Sequence, residues 1–121
     1  GTNVVIDNDC VVGDNCSFQT GAYIPTGSRI GDRVFLGPNA SLTNDKTPLR
    51  TEYKLEKITV ENDVTIGSNA TLMPGITVGE GAFIAGGAVV TKDVPAWHIA
   101  KGCPAVFEEL PESLKKPNRL G

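Results

Sequence analysis

Residues 24–42 read IPTGSRIGDRVFLGPNASL, and four large aliphatic side chains in this stretch, Ile24, Ile30, Leu36 and Leu42, stand six residues apart. The series runs backwards through Phe18, Val12 and Ile6 without a slip. It resumes at Val60 and continues through Ile66, Leu72, Val78, Ile84 and Val90. Four residues after the large side chain comes a small or β-branched one, as at Cys10, Cys16, Ala22, Ser28, Val34, Ala40, Val64, Ala70, Ile76, Ala82 and Ala88. The residue directly after it is often Gly or acidic, as at Asp7, Gly13, Gly31, Gly37, Glu61, Gly67 and Gly79. A helix cannot generate this period, because six residues advance it by a non-integral number of turns.

A six-residue unit is one short strand plus one tight turn. Three units close a triangular coil, and stacked coils about 4.8 Å apart hydrogen-bond as parallel strands. The large and small residues both point inward and fill a narrow prism. Gly and Asn-type residues suit the corners, where φ can be positive. One coil cannot bury its own inner face, so coils must stack. Thirteen hexads give a little over four coils, a prism roughly 20 Å long. The composition agrees: 14 Gly and 8 Pro supply turns, and only 6% aromatic residues leave a core of Val, Ile, Leu and Ala. The fold class is therefore all-β, a single-stranded parallel β-helix of hexapeptide repeats.

The pattern breaks at residues 43–57, TNDKTPLRTEYKLEK, which are polar, charged and off-period. This segment should project from the prism as a loop, the kind of element that carries function on a rigid scaffold. Leu42 and Val60 stand 18 residues apart. That spacing leaves open whether the loop replaces two faces or leaves at one corner. From Pro95 the hexads stop. Trp97 and Ile99 are expected to cover the open end of the prism. Residues 107–116, FEELPESLKK, read as a short helix that Pro117 ends. The division is thus a β-helix domain over 1–106 and a capping, helical tail over 107–121.

The bounds exclude several classes. A chain of 121 residues holds one domain. A net charge of −3 argues against a nucleic-acid partner. Apolar runs fall far short of the roughly 20 residues of a membrane helix. Three cysteines without a CxxC fit free thiols in a cytoplasmic protein. The chain opens on Gly1 rather than Met, which leaves room for residues ahead of it.

The segment from Ile66 to Ala105, IGSNATLMPGITVGEGAFIAGGAVVTKDVPAWHIAKGCPA, resembles the C-terminal half of the hexapeptide-repeat acyltransferases. The resemblance runs from Ile6 to Ala105 and implies a left-handed coil, an exception to the usual right-handed crossover. It also implies a homotrimer with acetyl-CoA as co-substrate, bound in a groove between two prisms. In the family the GG-x-VVTKDVP stretch lines that groove. Carried over, backbone groups near Ser68, Ala85 and Gly86 would contact the pantetheine arm. Thr91 and Lys92 would lie beside the adenosine and its phosphates, Lys92 as a point charge. Some members carry an Arg just after G-x-PA, where this chain has Val106, Phe107 and Glu108; Lys101 is the candidate substitute.

Sugar O-acetyltransferases of the family use a His before a Pro in the projecting loop as general base. Here Thr47 precedes Pro48, and the single histidine is His98, in the capping segment. A hydroxyl nucleophile needs a base, whereas an amine has a neutral fraction near neutrality. The missing His points to N-acylation. The run Thr43-Asn44-Asp45 with Pro48 resembles the TND-x-x-P segment of N-acetyltransferases that act on nucleotide-linked amino sugars. The resemblance implies that Asn44 orients the acceptor amine and that Asp45 holds the ammonium or takes a proton. Arg50 and Tyr53 are candidates for facing a sugar nucleotide. An Asn-Asp pair is also ordinary turn chemistry, which is the competing reading. No metal is expected: a γ-class carbonic anhydrase needs three His ligands. An ice-binding face is excluded because Thr65, Thr71 and Thr77, spaced by six, fall on three different faces. The remaining alternatives are a sugar O-acetyltransferase and a non-catalytic hexapeptide scaffold.

Overall fold

The computed structural model describes residues 1–119. Each hexad contributes one two-residue strand. These are β1 (Val5–Ile6), β2 (Val11–Val12), β3 (Ser17–Phe18), β4 (Tyr23–Ile24), β5 (Arg29–Ile30), β6 (Phe35–Leu36) and β7 (Ser41–Leu42). After the loop come β8 (Thr59–Val60), β9 (Thr65–Ile66), β10 (Thr71–Leu72), β11 (Thr77–Val78), β12 (Phe83–Ile84) and β13 (Val89–Val90). Every third strand shares a face. Face A holds β1, β4, β7, β10 and β13; face B holds β2, β5, β8 and β11; face C holds β3, β6, β9 and β12. Neighbours on each face pair in parallel, as in Val5↔Tyr23 and Phe35↔Thr65. The chain is a parallel β-helix, as the hexads imply, and left-handed, as the resemblance implies.

The second residue of each strand points inward. Ile24, Leu36, Leu42, Val60, Ile66, Leu72, Val78, Ile84 and Val90 are all buried, and so are the small partners Ala22, Val34, Ala40, Val64, Ala70, Ala82 and Ala88. Removing a side chain of the larger set from water contributes about 1.5–3 kcal/mol each. Ser28 takes a small inward position, and its hydroxyl donates to the Pro25 carbonyl at 2.7 Å. Cys10 and Cys16 also point inward as free thiols, donating to the carbonyls of Pro25 and Gly31 at 3.1 and 3.2 Å. Among the described residues no strand pairs with β1 on its outer side, and Ile6 is 47% exposed although it occupies a core position.

The corners carry the positive φ that the pattern calls for. Asn3, Asp9, Asn15, Gly21, Gly27, Arg33, Asn39, Asp63, Asn69, Gly75, Gly81 and Gly87 are all left-handed, one ahead of each hexad strand except β8, which the loop precedes. Arg33 is the member of this series that is neither Gly nor an Asx residue. It is held from one coil above: its guanidinium donates to both oxygens of Asp63, at 2.7 and 3.0 Å. Hydrogen bonding to Arg33 holds the Asp63 carboxyl below its ordinary range, against the opposing effect of burial, and the Asn118 N–H adds to the lowering.

The loop leaves at one corner. Strand β7 lies on face A and β8 on the next face, B, so no face is skipped. Register partners across the loop, such as Leu42↔Leu72 and Ile30↔Val60, stand 30 residues apart instead of 18, so the insertion adds 12 residues at the AB corner.

The tail corrects an expectation. Residues 107–116 are not a helix. Strand β14 (His98–Gly102) adds a rung to face C, and β15 (Ala105–Glu109) folds back antiparallel on it. Residues 107–109 thus belong to the capping hairpin, and a division at 106 cuts through β15. The reason is a period of two. Ala105 and Phe107 pack against the core while Val106 and Glu108 are exposed. Only Glu112–Leu114 forms a helical turn, of the 3-10 type. Trp97 lies over Gly81, whose missing Cβ makes room for the indole ring. Ile99 pairs with Phe83 on face C, and the end of the core is closed by Val94, Ala100 and Leu110. Beyond Pro117, Asn118 latches onto the BC corner: its side-chain amide donates to the carbonyls of Arg33 and Val64, at 2.8 and 3.2 Å.

Candidate active site

The residues singled out from the sequence gather at two corners of the prism and in the loop. At the CA corner, Gly67-Ser68-Asn69 lies directly beneath Ala85-Gly86-Gly87. The Gly87 N–H donates to the Ser68 carbonyl at 2.9 Å, and the Ala85 N–H to Ala100 at 2.9 Å. A Cβ on Gly67 would lie 2.5 Å from the Gly86 nitrogen, so the two coils close up only because Gly67 has none. The N–H groups of Ser68 and Gly86 have no acceptor among the described residues, and both residues are exposed. Two free donors therefore stack one coil apart on an open edge, a fit for the amide carbonyls of an extended arm. Lys101 follows Ala100, which pairs with Ile84, so it stands one coil above Ala85. Its ammonium is held by Glu108 at 3.2 Å.

At the AB corner, Thr91, Lys92 and Asp93 follow β13, and Val94 bridges to Val78 on face B. The Asp93 carboxylate accepts the Thr77 N–H at 2.8 Å, which fixes the turn. Lys92 is exposed and makes no ion pair among the described residues. Thr91 and Lys92 line a cavity of about 560 Å³ with Met73, Pro74, Gly75, Ile76, Asp93 and the loop residue Lys46. Nothing in the sequence pattern marked Lys46; its only signal is its place two residues after Asn44.

The loop is pinned where Asn44 leaves the prism. The Asn44 side-chain amide donates to the Thr26 carbonyl at 3.1 Å, and its main-chain carbonyl accepts the Glu56 N–H at 2.9 Å. The side-chain oxygen of Asn44 has no partner among the described residues. Asp45 accepts the Thr47 N–H at 3.0 Å, an Asx turn. Both residues thus do the structural work of turn chemistry and each keeps an oxygen free. Arg50 and Tyr53 are exposed on the outer loop. Below the loop on face A, the Tyr23 hydroxyl donates to Asp7 at 2.6 Å, and that bond pushes the phenol up to about 12, with burial and the Asp7 charge adding. His98 lies elsewhere. It opens β14 on face C, its Nδ1 2.9 Å from the Ala96 carbonyl, away from the corner that carries the loop.

A larger cavity, about 730 Å³, lies on face C and holds none of the residues picked from the sequence. It is lined by Asn15, Gln19, Arg33, Phe35, Thr65 and the tail residues Asn118 and Arg119. The sequence carries no signal for it, because the tail that contributes Asn118 and Arg119 lies outside the hexads.

The family model described as bacterial transferase hexapeptide (six repeats) matches residues 9–44 and 57–92. The matched ranges stop and restart at the loop. A Schizosaccharomyces pombe protein that carries an acetyltransferase name is 37% identical over 87% of this chain and 52% of its own length. Galactoside O-acetyltransferase of Escherichia coli is 37% identical over 62% of the chain and 40% of its own length. A tetrahydropyridine-dicarboxylate N-acetyltransferase of Staphylococcus aureus is 40% identical over 62% of the chain and 30% of its own length. The chain therefore spans about half, or less, of these relatives. Among solved structures, a maltose O-acetyltransferase of Clostridium difficile superposes with a TM-score of 0.82 at 29% identity, over 91% of this chain and 64% of that one. A hexapeptide-repeat acetyltransferase of Vibrio cholerae, solved with acetyl coenzyme A, superposes with a TM-score of 0.77 at 26% identity, over 87% and 62%. With six-residue repeats stacked in three faces, and a family model matched on both sides of the loop, the chain belongs to the bacterial hexapeptide-repeat transferases.

Proposed function

We propose that the chain is an acetyl-CoA-dependent acyltransferase that acts as a homotrimer and acylates an amine, the amine of a nucleotide-linked amino sugar. The observation that carries the coenzyme assignment is the stacked pair of free N–H groups at Ser68 and Gly86 at the CA corner, together with the exposed, unpaired Lys92 at the other edge of face A. The acetyl-CoA complex of the Vibrio cholerae relative supports the same co-substrate. The CA and AB corners lie at opposite edges of face A. In a trimer, one chain's corner can face its neighbour's across the groove, so that a single coenzyme touches both kinds of residue.

The acceptor assignment rests on the loop. The Thr26 carbonyl occupies the amide hydrogens' side of Asn44 and leaves its oxygen to accept from an amine. The amine nitrogen attacks the thioester carbonyl carbon, the C–S bond breaks, and the thiolate leaves as the amide forms. The free oxygen of Asp45 takes the proton that the ammonium intermediate sheds. Positioning supplies much of the rate, as expected for a nucleophile that needs little activation. The one imidazole of the chain is on another face, which favours an amine over a hydroxyl. Relatives of both kinds exist, an O-acetyltransferase and an N-acetyltransferase.

The test is acceptor-dependent release of free coenzyme A thiol, run with amino-sugar nucleotides and with their hydroxyl counterparts. Turnover confined to the amines supports the reading. Turnover with hydroxyl sugars alone replaces it with O-acetylation.

A further inference from the structure

The AB cavity holds one loop residue with no part in the proposed transfer step, Lys46. Lys46 reaches back from the loop to line the same cavity of about 560 Å³ as Thr91 and Lys92, within one chain. It does not reach there by chance of a free side chain. Glu56, on the returning limb of the loop, holds its ammonium at 3.3 Å. Glu56 is itself fixed, because its N–H donates to the Asn44 carbonyl and its own carbonyl accepts the Gly75 N–H at 3.2 Å. Its carboxylate lies against Gly75, which lines the same cavity. The carboxylate that lines the cavity, Asp93, accepts the Thr77 N–H through one oxygen and makes no ion pair among the described residues. The site thus presents two ammonium groups: Lys92 without an ion pair, and Lys46 balanced by one exposed pair. Exposed ion pairs of this kind are weak, and a phosphate outcompetes a single carboxylate in charge and in acceptor oxygens.

We infer that Lys46 is a second phosphate-binding cation, acting beside Lys92 of the same chain on a phosphate or pyrophosphate group in this cavity. The inference rests on the acyltransferase reading for the source of the phosphate, which is the coenzyme or the nucleotide of the acceptor. Glu56 parks Lys46 at the cavity when the phosphate is absent and releases it when the phosphate binds. The loop that carries Asn44 is thereby tied to an occupied site.

The experiment is calorimetric titration of the intact chain with acetyl-CoA, with acetyl-pantetheine, which has the thioester without the phosphates, and with a nucleoside diphosphate. Lys46→Ala should weaken one phosphate-bearing ligand by about fivefold and leave acetyl-pantetheine unchanged. Weakening of acetyl-CoA assigns the coenzyme's phosphates; weakening of the nucleoside diphosphate alone assigns the acceptor's. Lys46→Arg should restore binding, and Glu56→Gln should tighten it by about twofold by removing the competing carboxylate. Equal affinity for all three ligands in wild type and Lys46→Ala overturns the inference while leaving the acyltransferase reading intact. So does an equal loss for acetyl-pantetheine, which marks a merely structural lysine. Failure of the wild-type chain to bind acetyl-CoA or acetyl-pantetheine removes the acyltransferase reading, and the nucleoside diphosphate then still decides whether Lys46 and Lys92 form a phosphate site.

Discussion

Arg33 and Asp63 occupy the same corner of successive coils, and the guanidinium of the lower residue grips both carboxylate oxygens of the upper one, with Nε 2.7 Å from Oδ1. The pair explains how an arginine tolerates a left-handed φ of 54° in a series otherwise filled by Gly, Asn and Asp. Asp63 also accepts the Asn118 N–H at 3.0 Å, so one carboxylate joins two coils and the tail. Asp63→Asn should lower the thermal midpoint by about 5 °C at neutral pH. The folded carboxyl is held below its ordinary 3.8, so its contribution is present above that value and is lost as pH falls through the lower folded value. Melts of wild type and variant should converge at the acid end of the folded range.

Tyr23 offers a second titration. Its phenol is raised to about 12 by the hydrogen bond to Asp7. A folded value above the unfolded one gives stability that is complete below about 10 and lost as pH rises through about 12. Absorbance titration of a Tyr53→Phe chain, which retains Tyr23 as its one tyrosine, should show late ionisation. Asp7→Asn should return that ionisation towards 10.

The loop is an addition to a prism that closes without it. Deleting residues 45–56 leaves Leu42 and Val60 one hexad apart and keeps Ile58 in the small inward position. Lys57 then falls on a corner of the positive-φ series, so Gly should replace it. The shortened chain should retain its β-sheet circular dichroism and melt within about 5 °C of wild type, since loop length costs little. It should transfer no acyl group.

Asn44 has two separable jobs. Asn44→Ala should lower kcat by about 100-fold if its oxygen orients the amine, with acetyl-CoA affinity unchanged. A parallel melt checks the other job, the bond to Thr26. Loss of activity that tracks loss of folded protein would show that only the structural role exists.

Sites shared between subunits make a further prediction. Trimers mixed from Asn44→Ala chains and Ser68→Pro chains, the proline removing the Ser68 N–H at a corner position that Pro38 fills one coil below, contain grooves that pair an intact CA corner with an intact AB corner. Activity should reappear on mixing and subunit exchange, although each parent is inactive. Mixed trimers without any activity would place both residues of a site in one chain.

The prism was legible because each hexad states its own geometry. A large residue, a small residue and a corner residue recur at fixed offsets, and three independent features agree at Ile24-Gly27-Ser28 or Leu36-Asn39-Ala40. Ser68, Ala85 and Gly86 were singled out by the family resemblance, and strand pairing sets them at one corner of successive coils. The cap was misread because FEELPESLKK has the composition of a helix, while the contacts that decide it come from Ala105 and Phe107 alternating over the prism end. The spacing of Leu42 and Val60 is a multiple of six under either reading of the loop, so only strand pairing shows that it leaves at one corner. Lys46 and Asn118 were invisible because their roles depend on contacts with Glu56 and Arg33, which no local pattern encodes.

The most direct test is a crystal structure of the chain with acetyl-CoA bound. The pantetheine amides should sit on the N–H groups of Ser68 and Gly86 of one chain, with the phosphates beside Lys92 at the AB corner of its neighbour. Coenzyme seated instead in the larger groove on face C, against Arg33 and Asn118, would contradict it.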